Sequence, residues 1–188
     1  DVASALRADG EDRVAPGGED PAHLVDRRAV PVTVVARVLE EAAAVILREI
    51  SETVGARRAS ILVHDRVTDT LQVVTAIGAD VADIPPIALD DDCSVSAGVF
   101  RSLHPRIVEG HDQACPAEAP YRNGAMLSVP ILWTTPGGGE PLGVVNLSDR
   151  RSGQPFTAGD LKLIAAIATQ IGTAIQNARL VRASLDQQ

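Results

Sequence analysis

At 188 residues and 45% hydrophobic content, the chain is long enough to bury one proper core, and its length fits one domain with an extension. A formal net charge of −8 and only four aromatic rings (Phe100, Tyr121, Trp133, Phe156) remove the basic footprint and stacking platforms that nucleic-acid and anionic-membrane partners require. Two cysteines do not make a disulfide scaffold, no apolar run approaches the roughly 18 residues of a membrane span, and no signal-peptide pattern opens the chain, so the expectation is a cytoplasmic protein. The single methionine is Met126, which predicts a piece cut from a longer polypeptide.

Residues 1–29 are acidic, carry Pro16-Gly17-Gly18 and show no sustained periodicity. They read as a linker, with Arg27 and Arg28 as solvated charges, ahead of a domain over 30–186. From Pro31, Val35, Val38, Leu39, Ala42, Ile46 and Ile50 recur at helical spacing until Gly55. Arg58 to Asp65 alternates as a strand, with Ala59, Ile61 and Val63 on one face. Leu71 to Ile77 alternates again, with Leu71, Val73, Thr75 and Ile77 together, and the short link between predicts an antiparallel hairpin. Residues 78–93 are irregular. Ser94 to Ser102 predicts a short helix with Val95, Val99 and Leu103 on one side, and Arg106 to Glu109 a short strand.

Residues 110–124 read as loop. Ala125 to Trp133 is a strand that Pro130 confines to an edge or a bulge. Pro136-Gly137-Gly138-Gly139 predicts a hairpin connection into the strand Leu142–Ser148. A long helix follows from Thr157. Thr157 suits its N-cap, Asp160 the third position of a capping box, and Phe156 with Leu161 a hydrophobic staple. Ile164, Ile167, Ile171, Ala174, Ala178, Val181 and Leu185 form a heptad-like seam, while Leu161, Ala165, Ala168, Gly172 and Ile175 form a second flank. Two flanks predict two partners, the sheet and a second helix, which points to a homodimer through helices 31–54 and 157–185.

Catalytic signatures are missing: no phosphate loop, no His-Glu-x-x-His, no Gly-x-Ser-x-Gly. His104, His111 and Cys115, with Asp90 to Asp92 and Asp112, match no closed metal-site spacing, and the acidic run reads as a solvated turn. Cys93 and Cys115 read as two unrelated thiols, the alternative being a redox pair. Arg101, Tyr121, Arg122, Asn123 and Ser128 sit on or near the irregular segments that roof the sheet, and are the candidate ligand-binding residues. No cofactor is named by the sequence.

The closing phrase Leu142-Gly-Val-Val-Asn-Leu-Ser-Asp-Arg-Arg-Ser-Gly-Gln-Pro-Phe-Thr resembles the end of a GAF domain. Ser96-Ala-Gly-Val-Phe-Arg-Ser-Leu-His-Pro-Arg-Ile-Val-Glu resembles that family's mid-domain helix and following strand, and Ser128-Val-Pro-Ile its strand before the last hairpin. The resemblance, over about Pro31 to Asp186, implies an α+β fold of the GAF/PAS type. An antiparallel sheet of five or six strands would carry the long terminal helices on one face, and loops and short helices over a ligand pocket on the other. Of the family's cyclic-nucleotide motif, Asn146, Phe156 and Asp160 are present, but Leu147 replaces its Lys and Leu161 its Glu. The bilin-binding Cys-His pair does not occur. In the methionine sulfoxide reductase branch the catalytic cysteine would fall at about Ser96, which cannot form a sulfenic acid. The implied function is non-enzymatic: a bacterial-type signalling sensor that binds a small molecule and relays its state to a linked output domain. The alternatives are a purely structural dimerisation module and a thiol reductase. Asn146, Phe156, Thr157 and Asp160 are then a mechanical joint between sheet and helix.

Overall fold

The computed structural model describes residues 32–109 and 125–185. The linker and three candidate ligand residues, Tyr121, Arg122 and Asn123, lie outside that range, as do His111, Asp112 and Cys115. In chain order the elements are α1 (Val32–Val54), β1 (Ala56–Asp65), β2 (Thr70–Ile77), a single 3-10 turn (Val81–Asp83), β3 (Ile87–Ala88), α2 (Val95–Ser102), β4 (Arg106–Val108), β5 (Met126–Thr135), β6 (Gly138–Arg150) and α3 (Ala158–Leu185). The strands form one six-stranded sheet in the order β3-β2-β1-β6-β5-β4, antiparallel at every junction. The expected α+β architecture is therefore present.

Strand alternation puts one apolar set on each face. Ala59, Ile61, Leu127, Val129, Ile131, Val145 and Leu147 join Leu47 and Ile50 of α1 and Ile164, Ala168, Ile171 and Ile175 of α3 in the main core. Leu62, Leu71 and Val144 point the other way and meet Val99 and Phe100 of α2 in a smaller one. The long helices thus share one face and α2 occupies the other, here termed the loop face. α1 packs on β1 and β2, α3 on β5 and β6, and the two helices touch each other.

Three details depart from the sequence reading. β2 does not keep Leu71, Val73, Thr75 and Ile77 on one face. Ile61 pairs with Thr75 but Leu62 with Val73, so Val74 is an extra residue. That bulge flips the alternation: Leu71 and Val73 belong with the loop-face cluster, whereas Ile77 packs on the main core. Leu103 does not pack with Val95 and Val99. It caps α2 in the left-handed region at φ 59° and is 37% exposed.

In α3, the seam and the flank merge. Ile164 and Ile171 from the one, Ala168 and Ile175 from the other, are buried together against the sheet. Alternating steps of four and three residues keep all four on one helical face, and that face rests on the sheet. Ala174 faces solvent, and Leu180 and Val181 are 56% and 47% exposed. Helix and sheet approach closely at Gly172, where an added Cβ would sit 2.3 Å from the carbonyl oxygen of Leu132. Leu132 lies opposite a bulge in β6, where Leu142 is the extra residue between the partners of Ile131 and Leu132. Pro130 fits as expected, because β4 pairs with Met126 to Ser128 and, among the described residues, no strand pairs with that side of β5 beyond them.

Candidate functional site

The corner from β6 into α3 is built by local signals. Arg151 donates its backbone N–H to the carbonyl of Gly55 at 2.7 Å, joining the end of β6 to the start of β1. The backbone N–H of Thr157 donates to Asp160 Oδ2 (2.7 Å), and the N–H of Asp160 donates to Thr157 Oγ1 (3.2 Å), the reciprocal capping box. Arg150 Nη1 donates to the same Asp160 oxygen at 3.1 Å and to the carbonyl of Pro155 at 2.8 Å, while its guanidinium lies 5.8 Å from the centroid of the buried Phe156 ring. Arg150 went unmarked in the sequence. An arginine ten residues before an aspartate has no periodic relation to it until the intervening turn is known.

On the loop face, three strands present a polar row. Ser128 of β5 lies opposite Asn146 of β6, and Asn146 lies opposite Ser60 of β1. Residues directly opposite on antiparallel strands share a face, so these side chains emerge side by side beneath α2. Ser128 Oγ donates to Asn146 Oδ1 at 2.7 Å, and Asn146 Nδ2 donates to Ser96 Oγ of α2 at 2.8 Å. Ser60, Ser96, Ser128 and Asn146 are each no more than 2% exposed. The Ser60 hydroxyl is buried with no hydrogen-bond partner among the described residues. Buried polar atoms are normally paired, and an unpaired one is where a water or a ligand group is wanted. The row carries no formal charge, so its recognition chemistry is that of uncharged donors and acceptors.

Ser128, singled out in the sequence, is therefore placed in this network, and so is Asn146, which the sequence assigned to the joint. Ser60 and Ser96 were not singled out as ligand contacts. Their one sequence signal is a serine at an inward position among aliphatic neighbours, and a separation of 50 residues between Ser96 and Asn146 conceals their contact. Arg101 also braces the roof. Its guanidinium donates to the carbonyl of Leu89 and, at 3.0 Å, to Asp92, which fastens α2 to the preceding loop. The acidic run is an exposed turn: Asp91 accepts from the backbone N–H of Cys93 at 2.9 Å. Among the described residues no group of three or more His, Cys, Asp or Glu side chains could hold a metal ion, and no helix is long and apolar enough to cross a membrane.

Solved structures share this fold. The GAF-B domain of DevS from Mycobacterium smegmatis superposes with a TM-score of 0.61 at 22% identity, over 79% of this chain and 98% of that one. The GAF domain/HD domain protein from Geobacter sulfurreducens superposes at 0.66 and 15%, over 80% and 99%. The type II free methionine-R-sulfoxide reductase from Thermoplasma acidophilum superposes at 0.62 and 15%, over 76% and 96%. At such identities the likeness is one of fold. No curated protein matches. The GAF domain model, however, matches residues 38–175, a span that runs from within α1 through every strand and well into α3, and the chain belongs to the GAF domain family.

Proposed function

We propose that the domain is a sensor. An uncharged, hydrogen-bonding small molecule binds on the loop face, between the sheet and residues 84–124, and its presence shifts α2. The shift passes through the sheet and the joint at Arg150–Asp160 into α3, and from there to an output domain in the same polypeptide. The observation that carries this reading is the buried, unpartnered Ser60 hydroxyl beside the Ser96–Asn146–Ser128 network. Arg101, Tyr121, Arg122 and Asn123 remain the proposed contacts from the roof. A cytoplasmic, non-enzymatic role fits the signalling proteins among the structural neighbours, and Ser96 in place of a nucleophilic thiol argues against reductase chemistry.

The sensor works as a homodimer through α1 and α3. Val45, Leu163, Leu180 and Val181 are 58%, 39%, 56% and 47% exposed on these helices, the kind of apolar surface that marks association. A structural dimerisation module is the second reading, favoured by the way Ser96, Asn146 and Ser128 satisfy one another without a ligand.

Native mass spectrometry of the purified chain, compared with its denatured mass, tests both. A bound small molecule that is lost from Ser60→Ala supports the sensor. A dimer of bare chain mass, unaltered by Ser60→Ala, supports the module. A bare monomer at high micromolar concentration overturns both the ligand and the dimer.

A further inference from the structure

His64 stands where three parts of the fold meet. Its ring lies on the loop face with Leu62, two residues back. The ring centroid is 4.9 Å from that of Phe100, and the planes meet at 56°. Phe100 is buried and anchors α2 in the smaller core. The Nε2 of His64 lies 2.9 Å from Asp69 Oδ1, in the turn that closes the β1–β2 hairpin. The backbone carbonyl of His64 faces a different element: it accepts a hydrogen bond from Arg179 Nη2 of α3 at 3.0 Å.

That carbonyl belongs to the residue just past Val63, the last β1 residue paired with β6. The β6 strand there runs back through Leu142 to Pro141, which has no N–H to offer. Arg179 reaches the place where the ladder ends. Burial, and then the neighbouring Arg66, pull the Arg179 guanidinium below its ordinary range, partly offset by Glu140. A cation so placed gains more from a carbonyl dipole than it would in water. Arg179 lies nineteen residues beyond Asp160, about 28 Å along the helix axis. α3 is therefore fastened twice, at its start by Arg150 and Asp160 and far along by Arg179 and His64.

We propose that His64 is the residue that couples α2 to the distal part of α3. Displacing α2 shifts the His64 ring through Phe100. The ring carries its own backbone with it, and the carbonyl held by Arg179 moves or is released. The proposal takes its purpose from the sensory reading, but its contacts need no ligand.

Amide hydrogen exchange on the intact chain tests it. Phe100→Leu keeps an apolar side chain and removes the ring contact. It is expected to speed exchange over residues 176–183 by roughly 2–10-fold, the range set by one aromatic pair. In a His64→Leu background the same substitution is expected to leave 176–183 unchanged. Arg179→Met runs the path in reverse and is expected to speed exchange over 95–102 only when His64 is present. If Phe100→Leu leaves 176–183 unchanged with His64 present, or accelerates it equally in both backgrounds, His64 is not the coupling residue. A failed search for a ligand leaves these rates untouched, so the two readings fail separately.

Discussion

Asn146→Asp probes the buried polar row with the smallest perturbation available, an NH2 exchanged for an oxygen. The position is 2% exposed and already accepts from Ser128 and donates to Ser96. The Ser96 hydroxyl can rotate to donate to a carboxylate, so hydrogen bonds survive, and what changes is the charge. Burial disfavours the ionised form and raises the pKa of a carboxyl group, to about 6–7 in such a site. The unfolded chain keeps the reference value of about 4. Between the two values the folded state binds the extra proton, so stability falls as pH rises. Each pH unit across that interval costs about 1.36 kcal/mol. The variant is therefore expected to match the wild type at about pH 4 and to trail it by about 3 kcal/mol at about pH 7. Urea denaturation of both proteins across that range measures the difference. A gap that stays flat with pH would mean the residue 146 side chain is solvated, and would refute a buried polar row under α2.

Two further substitutions test the frame around that row. Gly172→Ala should stabilise α3 by about 1 kcal/mol if helix propensity decided. The added Cβ would meet the Leu132 carbonyl at 2.3 Å, so a loss of about 1–3 kcal/mol is expected instead, and a gain in denaturation midpoint would show that the helix does not rest on β5. Phe156→Ala removes a ring that is 3% exposed at the joint and is expected to cost about 3–5 kcal/mol. An unchanged melting temperature would show that the corner is not packed.

Much of this fold is written locally. The capping box of Thr157 and Asp160, the staple at Phe156, the Ser94 cap of α2 and the stop at Gly55 each involve residues a few positions apart, where stereochemistry acts directly. Alternation located both strands of the first hairpin. It misplaced Ile77, because a single extra residue at Val74 reverses the face and leaves no mark on composition. The site was only partly legible. Ser128 and Asn146 were noticed for separate reasons, and their pairing depends on the register of β5 against β6. Arg101 was noticed as a cation near a roof loop, but the loop it fastens is its own neighbour. His64 carried no signal at all, since its partners are 5, 36 and 115 positions away.

The seat of Gly172 on the Leu132 carbonyl limits how α3 can transmit anything. A glycine is the one residue whose flank is smooth enough to lie on bare backbone. Turning the helix about its own axis would swing the Cβ of Ile171 or Thr173 towards that oxygen. Rotation is therefore sterically stopped near the middle of α3, while tilting about this seat keeps the contact. The helix is thereby built as a lever on a fulcrum rather than as a turning shaft, with one arm in the joint at Asp160 and the other running past Arg179.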